Sequence, residues 1–159
     1  MEPSSSPLWG HDPLVREALH RAGWSDGRSI DTSGWVHDLR GVGYQPHPLA
    51  VRIWTALGGL TIRSAPIRVP PSSLHVDPVD ACIDSLEESQ RLSRRLGEDL
   101  SPLGMWSVQF RTYVGASGRV VAVSTGTLWE LGTGLPEVLA YVVRGDGGGS
   151  RAEQADWLL

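Results

Sequence analysis

The sequence predicts an α+β fold, an antiparallel-rich central sheet flanked by helices, and three observations carry that reading. Apolar residues recur at helical spacing through the first third of the chain. After Met105 the period falls to two. The connections that follow are too short for the crossovers that parallel strands need.

Residues 1–11 read as a flexible lead, 12–145 as one domain, and 146–159 as a Gly/Ser linker and tail. A first helix should open with Asp12 as N-cap and Pro13 at its first position, carry Leu14, Val15, Ala18, Leu19 and Ala22, and stop at Gly23. Ser25-Asp26-Gly27-Arg28 is a turn. Asp31 or Ser33 can cap a second helix bearing Trp35, Val36 and Leu39. The third opens at Pro48, presents Leu49, Ala50, Ile53, Trp54 and Leu57, and ends at Gly58-Gly59.

A strand over 60–63 leads into a stretch with Pro66, Pro70 and Pro71, which suits a loop or an edge. A short strand over 74–76 precedes the longest helix, 78–96, with a stripe of Val79, Cys82, Ile83, Leu86 and, less tidily, Leu92 and Leu96. From Met105 to Val114 the alternation predicts one half-buried strand. Gly115-Ala116-Ser117-Gly118 is a hairpin connection to a return strand over 119–124, with a third strand over 128–131. A helix over 135–143 closes the domain, and 151–159 reads as a tail or frayed helix.

The chain has 159 residues, 40% of them apolar, with seven tryptophans, which is enough for one buried core. All fourteen positive residues are arginine, and neither lysine nor asparagine occurs. A GC-rich genome explains both absences, so the arginines are not read as phosphate binders. The net charge of −4 argues against a nucleic-acid partner. One cysteine, Cys82, leaves no disulfide framework and points to a reducing cytoplasm. The N-terminus lacks the basic and apolar regions of a secretory signal, and no apolar run is long enough for a membrane span.

The best metal or catalytic constellation is His75, Asp77, Asp80, Cys82 and Asp84. On a strand His75 and Asp77 share a face, but acids at a helix start are favoured by capping and the dipole, and Cys82 falls on the apolar stripe. The structural reading is preferred. His11, His20, His37 and His47 share no ligand spacing and read as surface residues. Gly58-Gly59 is too short for a phosphate loop, a Walker-type lysine is absent, and no serine stands in a Gly-x-Ser-x-Gly elbow.

Residues 77–99 hold seven acids (Asp77, Asp80, Asp84, Glu87, Glu88, Glu98, Asp99) against three arginines. Their sorting along the helix first suits a solvated face; the sharper reading is a negative patch that steers a cationic partner. Trp35, Trp54 and Trp106 fall on buried stripes, whereas Trp129 and Trp157 are candidate interface anchors.

Four stretches in order resemble the SUKH superfamily of immunity proteins, in its third, actinobacterial subfamily. They are LHRAGWSDGRSIDTSGWVHDL (19–39), GYQPHPLAVRIWTALGGLTI (43–62), LGEDLSPLGMW (96–106) and SGRVVAVSTGTLWELGTGLPEVLAYVVRG (117–145). The resemblance spans about residues 13–145. Pro136 departs from it, since family members more often open the last helix with an acid; proline fits that first turn as well.

The resemblance implies a SUKH-like fold without catalytic residues or cofactor. It implies a cytoplasmic protein whose partner is a cognate toxin domain, among them nucleases and nucleic-acid deaminases. No small-molecule substrate, nucleic acid or membrane partner is expected. Asp77, Asp80, Asp84, Glu87, Glu88 and Trp129 are the expected partner-binding residues. The alternatives are a regulatory interaction module with an endogenous partner, and a metal-dependent enzyme using His75 and Asp77.

Overall fold

Among the described residues seven strands form one open antiparallel sheet in which spatial order equals chain order, β1 through β7. A computed structural model describes residues 7–145 and 151–158. Within those residues six helices accompany the sheet, so the α+β expectation holds. The strands are β1 (Thr61–Arg63), β2 (Ser73–His75), β3 (Leu100–Trp106), β4 (Phe110–Gly115), β5 (Val120–Ser124), β6 (Thr127–Gly132) and β7 (Arg151–Gln154).

The early helices start and stop where their caps dictate. In α1 (Pro13–Ala22), Asp12 Oδ1 accepts the Leu14 N–H at 2.9 Å, and Gly23 ends the helix at φ +109. For α2 (Ser33–Gly41) it is Asp31 that accepts the Ser33 N–H, at 2.9 Å. α3 (Pro48–Leu57) opens on an imidazole: His47 Nδ1 accepts the Ala50 N–H at 3.2 Å. Its Nε2 lies 2.8 Å from Val114 O, so the ring is the Nε2–H tautomer, and the residue is only 8% exposed. The surface histidine expected at position 47 is therefore a buried bolt between α3 and β4.

Three expectations are corrected. The long helix over 78–96 is two helices, α4 (Pro78–Cys82) and α5 (Leu86–Leu96). On one continuous helix Leu92 would lie roughly 120° around the axis from Leu86. The break at residues 83–85 resets the phase, so Val79, Ile83 and Leu86 pack toward the main core while Leu92 and Leu96 join a second cluster. Next, the single strand over 105–114 is a hairpin, β3 turning into β4 through Ser107 and Val108, both at positive φ. Strand β3 begins at Leu100 and tolerates Pro102 because a bulge separates Pro102 from Gly104. There Gly104 is obligatory: a Cβ would stand 1.9 Å from His75 O.

The third correction is the tail. Residues 151–154 form β7 on the edge of β6, and a 3-10 turn, Asp156–Leu158, follows. Likewise Trp9, expected in a flexible lead, is buried at 4% and stacks edge-on against Trp24 at 5.5 Å. Residues 1–6 of that lead and 146–150 of the linker lie outside the described residues.

Strand alternation builds two faces. Ile62, Leu74, Leu103, Trp106, Val114, Val120, Ala122 and Leu131 join one core, with α1, α3 and α6 (Leu135–Arg144) over them. Tyr113, Val121, Val123 and Leu128 point the other way, into a smaller cluster closed by Cys82, Leu92, Leu96, Ala155 and Trp157. Helices α4–α5 lie over β3 and β4 on that second face, and the C-terminal residues close it over the later strands. Over β1, β2 and the adjoining end of β3–β4 it stays open.

Candidate functional site

The open part of the second face is a cleft of about 490 Å³. Its floor is the outward half of the strand alternation: Thr61 and Arg63 from β1, Ser73 and His75 from β2, Met105 from β3 and Arg111 from β4. Thr61 Oγ1 and His75 Nδ1 lie 2.8 Å apart across the β1–β2 pair, which fixes the imidazole. One rim is Val108, at the β3–β4 turn; another is Asp80, on α4.

Arg111 is held from behind. Its Nε and Nη2 donate to the two oxygens of Glu88 at 2.8 and 2.6 Å, and the Tyr113 hydroxyl donates to Glu88 Oε1 at 2.8 Å. The bidentate pair keeps the guanidinium charged beyond its already high ordinary value. Burial, with nearby Cys82 and Glu88, pushes Tyr113 upward, so it stays a neutral donor. Burial likewise raises the Cys82 thiol to about 12, which makes it an inert core residue.

The six expected partner residues separate by role. Asp77 Oδ1 accepts the N–H groups of Val79 and Asp80 at 3.1 and 2.9 Å and is the N-cap of α4. Glu88 faces inward as the counter-ion of Arg111. Trp129 is half-buried among Trp106 and Phe110, at 5.7 and 6.0 Å, and its Nε1 has no partner among the described residues. Asp80, Asp84 and Glu87 point outward, and Glu87 also pairs with Arg91 at 2.8 Å, one helical turn on. The acidic segment thus divides into an internal set and an exposed ridge on α4–α5 beside the cleft.

The proposed metal constellation does not come together. Cys82 is fully buried in the second cluster, and Asp77 is engaged with backbone amides. Among the described residues no group of three His, Cys, Asp or Glu side chains is placed to hold a metal ion. Nor is any described helix long and apolar enough to cross a membrane.

A family model for SUKH-3 immunity proteins matches residues 11–145, most of the chain and all of the sheet except β7. The chain belongs to the SUKH-3 immunity protein family. No curated protein and no solved structure matches it. Membership in SUKH-3 implies neutralisation of a polymorphic toxin by binding it, and immunity families of this kind are typically non-enzymatic inhibitors. In this SUKH-3 chain the open cleft and the acidic ridge beside it are both exposed.

Sequence reasoning missed the cleft because its lining comes from four strands spaced over fifty residues, two of which, β3 and β4, the unbroken alternation presents as one. The signal that could have found it is the outward half of each short strand: Thr61 and Arg63, then Ser73 and His75, polar residues alternating with the buried Ile62 and Leu74.

Proposed function

We propose that this SUKH-3 chain neutralises a toxin that acts on nucleic acid, a nuclease or a nucleic-acid deaminase, by covering its substrate-binding face in the cytoplasm of the producing bacterium. The observation that supports this reading is the outward ridge of Asp80, Asp84 and Glu87 beside an uncovered part of the sheet. Enzymes that act on nucleic acid need a cationic groove to hold phosphates. A negative ridge complements such a groove and speeds encounter with it. Asp77, Glu88 and Trp129 contribute from behind, by fixing α4, Arg111 and the sheet on which the ridge stands. A stable complex would bury about 1,600 Å² in total, more than the ridge alone offers, so the adjoining cleft belongs to the same contact.

The test is co-expression with the protein encoded by the neighbouring gene, followed by pull-down. Rescue of growth together with a stable complex supports immunity by direct binding. Reversing Asp80, Asp84 and Glu87 to lysine should then slow association most at low salt. Failure of both rescue and complex formation would move the protein to the regulatory-module reading.

A further inference from the structure

Among the large apolar side chains described, Val69, Val108 and Ile67 are the most exposed, at 86%, 80% and 74%. All three stand at one end of the sheet, Ile67 and Val69 on the β1–β2 loop and Val108 on the β3–β4 turn. The Ser107 N–H donates to Ser73 O at 2.8 Å and ties the turn to the start of β2. A second cleft, of about 420 Å³, runs between loop and turn and shares Arg63, Ser73 and Val108 with the first. The turn and both clefts are one continuous surface, edged by Ser64, Pro71 and Ser72 of the loop, while Ile67 and Val69 line neither cleft.

Val108 is also strained. It sits at φ +66 next to Ser107 at +51. A β-branched residue is a true outlier in that region, where glycine or asparagine costs far less. The side chain is solvent-exposed, so no burial within this chain offsets the strain. Strain that the fold does not use is found where a side chain is held out for something else.

The floor beneath Val108 is rich in unused donors. Arg63 makes no hydrogen bond or ion pair among the described residues, and Arg111 Nη1 makes none, since Nε and Nη2 go to Glu88. Two guanidinium groups with free N–H bonds in one recess fit a carboxylate, which accepts them in a fork. The one carboxylate on the rim, Asp80, stands on the α4 side.

The geometry points to this end of the sheet as the anchor site for the toxin domain: Val108 seats in an apolar recess of that protein, and one of its carboxylate side chains enters the cleft to meet Arg63 and Arg111. The partner's surface is then divided, basic opposite the α4–α5 ridge and apolar with one acid opposite β1–β4. This inference rests on the immunity reading and names where the contact is centred.

The experiment measures binding of the full chain to the toxin domain encoded beside its gene, with thermal melts of each variant. Val108→Gly should raise Tm, because glycine relieves the positive φ, and still weaken Kd at least about tenfold. A merely structural valine would not lose affinity while gaining stability. Arg63→Glu should weaken Kd as strongly, whereas Arg52→Glu, the same charge change at an exposed position of α3, should stay within about twofold of wild type. A wild-type complex with Kd unchanged in both Val108→Gly and Arg63→Glu overturns the anchor site and leaves immunity standing. Absence of any wild-type complex overturns the immunity reading, and the anchor with it. Concentration-dependent self-association of the wild type that Val108→Gly abolishes would assign the tip to a second copy of this chain and overturn the proposal.

Discussion

Arg111 gives two of its N–H donors to the two oxygens of Glu88, at 2.8 and 2.6 Å, and so fastens helix α5 to the middle of the sheet. The glutamate side chain is 19% exposed and the arginine 33%, so the pair is only partly shielded from water. Glu88→Ala leaves the partly exposed Arg111 and the buried Tyr113 without their acceptor. We expect a loss of about 2–3 kcal/mol in urea denaturation. Adding Arg111→Met to that variant should recover part of it, because an apolar side chain of similar length leaves no charge stranded. An additive double variant would show that the pair is not coupled.

His47 joins two elements with one ring, capping α3 through Nδ1 and donating to Val114 O through Nε2. Truncation to alanine removes a cap and a buried bond together, so His47→Ala should cost about 2 kcal/mol. His47→Asn keeps an acceptor near the Ala50 N–H and should cost less. Equal Tm values for the two variants would argue against the capping role.

Arg144 Nη1 reaches Asp12 Oδ2 at 2.7 Å, linking the start of α1 to the end of α6. Partial burial works to raise the Asp12 carboxyl, but Arg144 and the Leu14 N–H together hold it below its ordinary value of 3.8. Folding therefore favours the ionised form. Its contribution is complete above the unfolded value, near pH 4, and disappears as pH falls through the lower folded value. Asp12→Asn should lower Tm at neutral pH and flatten the acid limb of the Tm-against-pH curve below about pH 4. An acid limb as steep as that of wild type would sink this assignment.

The second cluster needs the C-terminal residues. Ala155 is fully buried in the same cluster as Cys82, Trp157 packs on that cluster, and Arg95 lies over the Trp157 ring at 5.6 Å. In the intact chain Cys82 should react with a thiol reagent only on unfolding. A chain truncated after Gly145 should be labelled at least about tenfold faster at the same pH, since opening the cluster no longer requires global unfolding. Equal labelling rates would mean that β7 and the turn after it do not protect the thiol.

Most of the helical half of this fold is legible in the sequence, and the reason is local. Asp12, Pro13 and Gly23, or Pro48 and Gly58-Gly59, act through neighbouring backbone groups, and those rules need no tertiary information. The β3–β4 turn is illegible for the opposite reason: Ser107 and Val108 adopt positive φ although neither residue type prefers it. The alternation from Trp106 to Val114 runs unbroken through the turn and so disguises it. Pro102 hides β3 in the same way, because a central-strand proline is tolerated only through a bulge that depends on Gly104 approaching His75 O. Of the candidate site, the acidic segment is visible as composition. Which acids turn inward is not, since Glu88 is drawn in by Arg111 and Tyr113, more than twenty residues away.

On the proposed reading of the ridge, the direct pairing of β2 with β3 gives the protein a way to change partners. Everything from Val76 to Asp99 is an excursion whose two ends are pinned by neighbouring strands, so its outer positions can be rewritten without shifting any register. Cys82, Glu88 and Leu92 are anchored by the second face of the sheet and must drift slowly. Asp80, Asp84, Glu87 and Gln90 carry no such obligation to the core. A lineage facing a succession of toxins could replace them repeatedly, so related chains should diverge fastest at these outward positions.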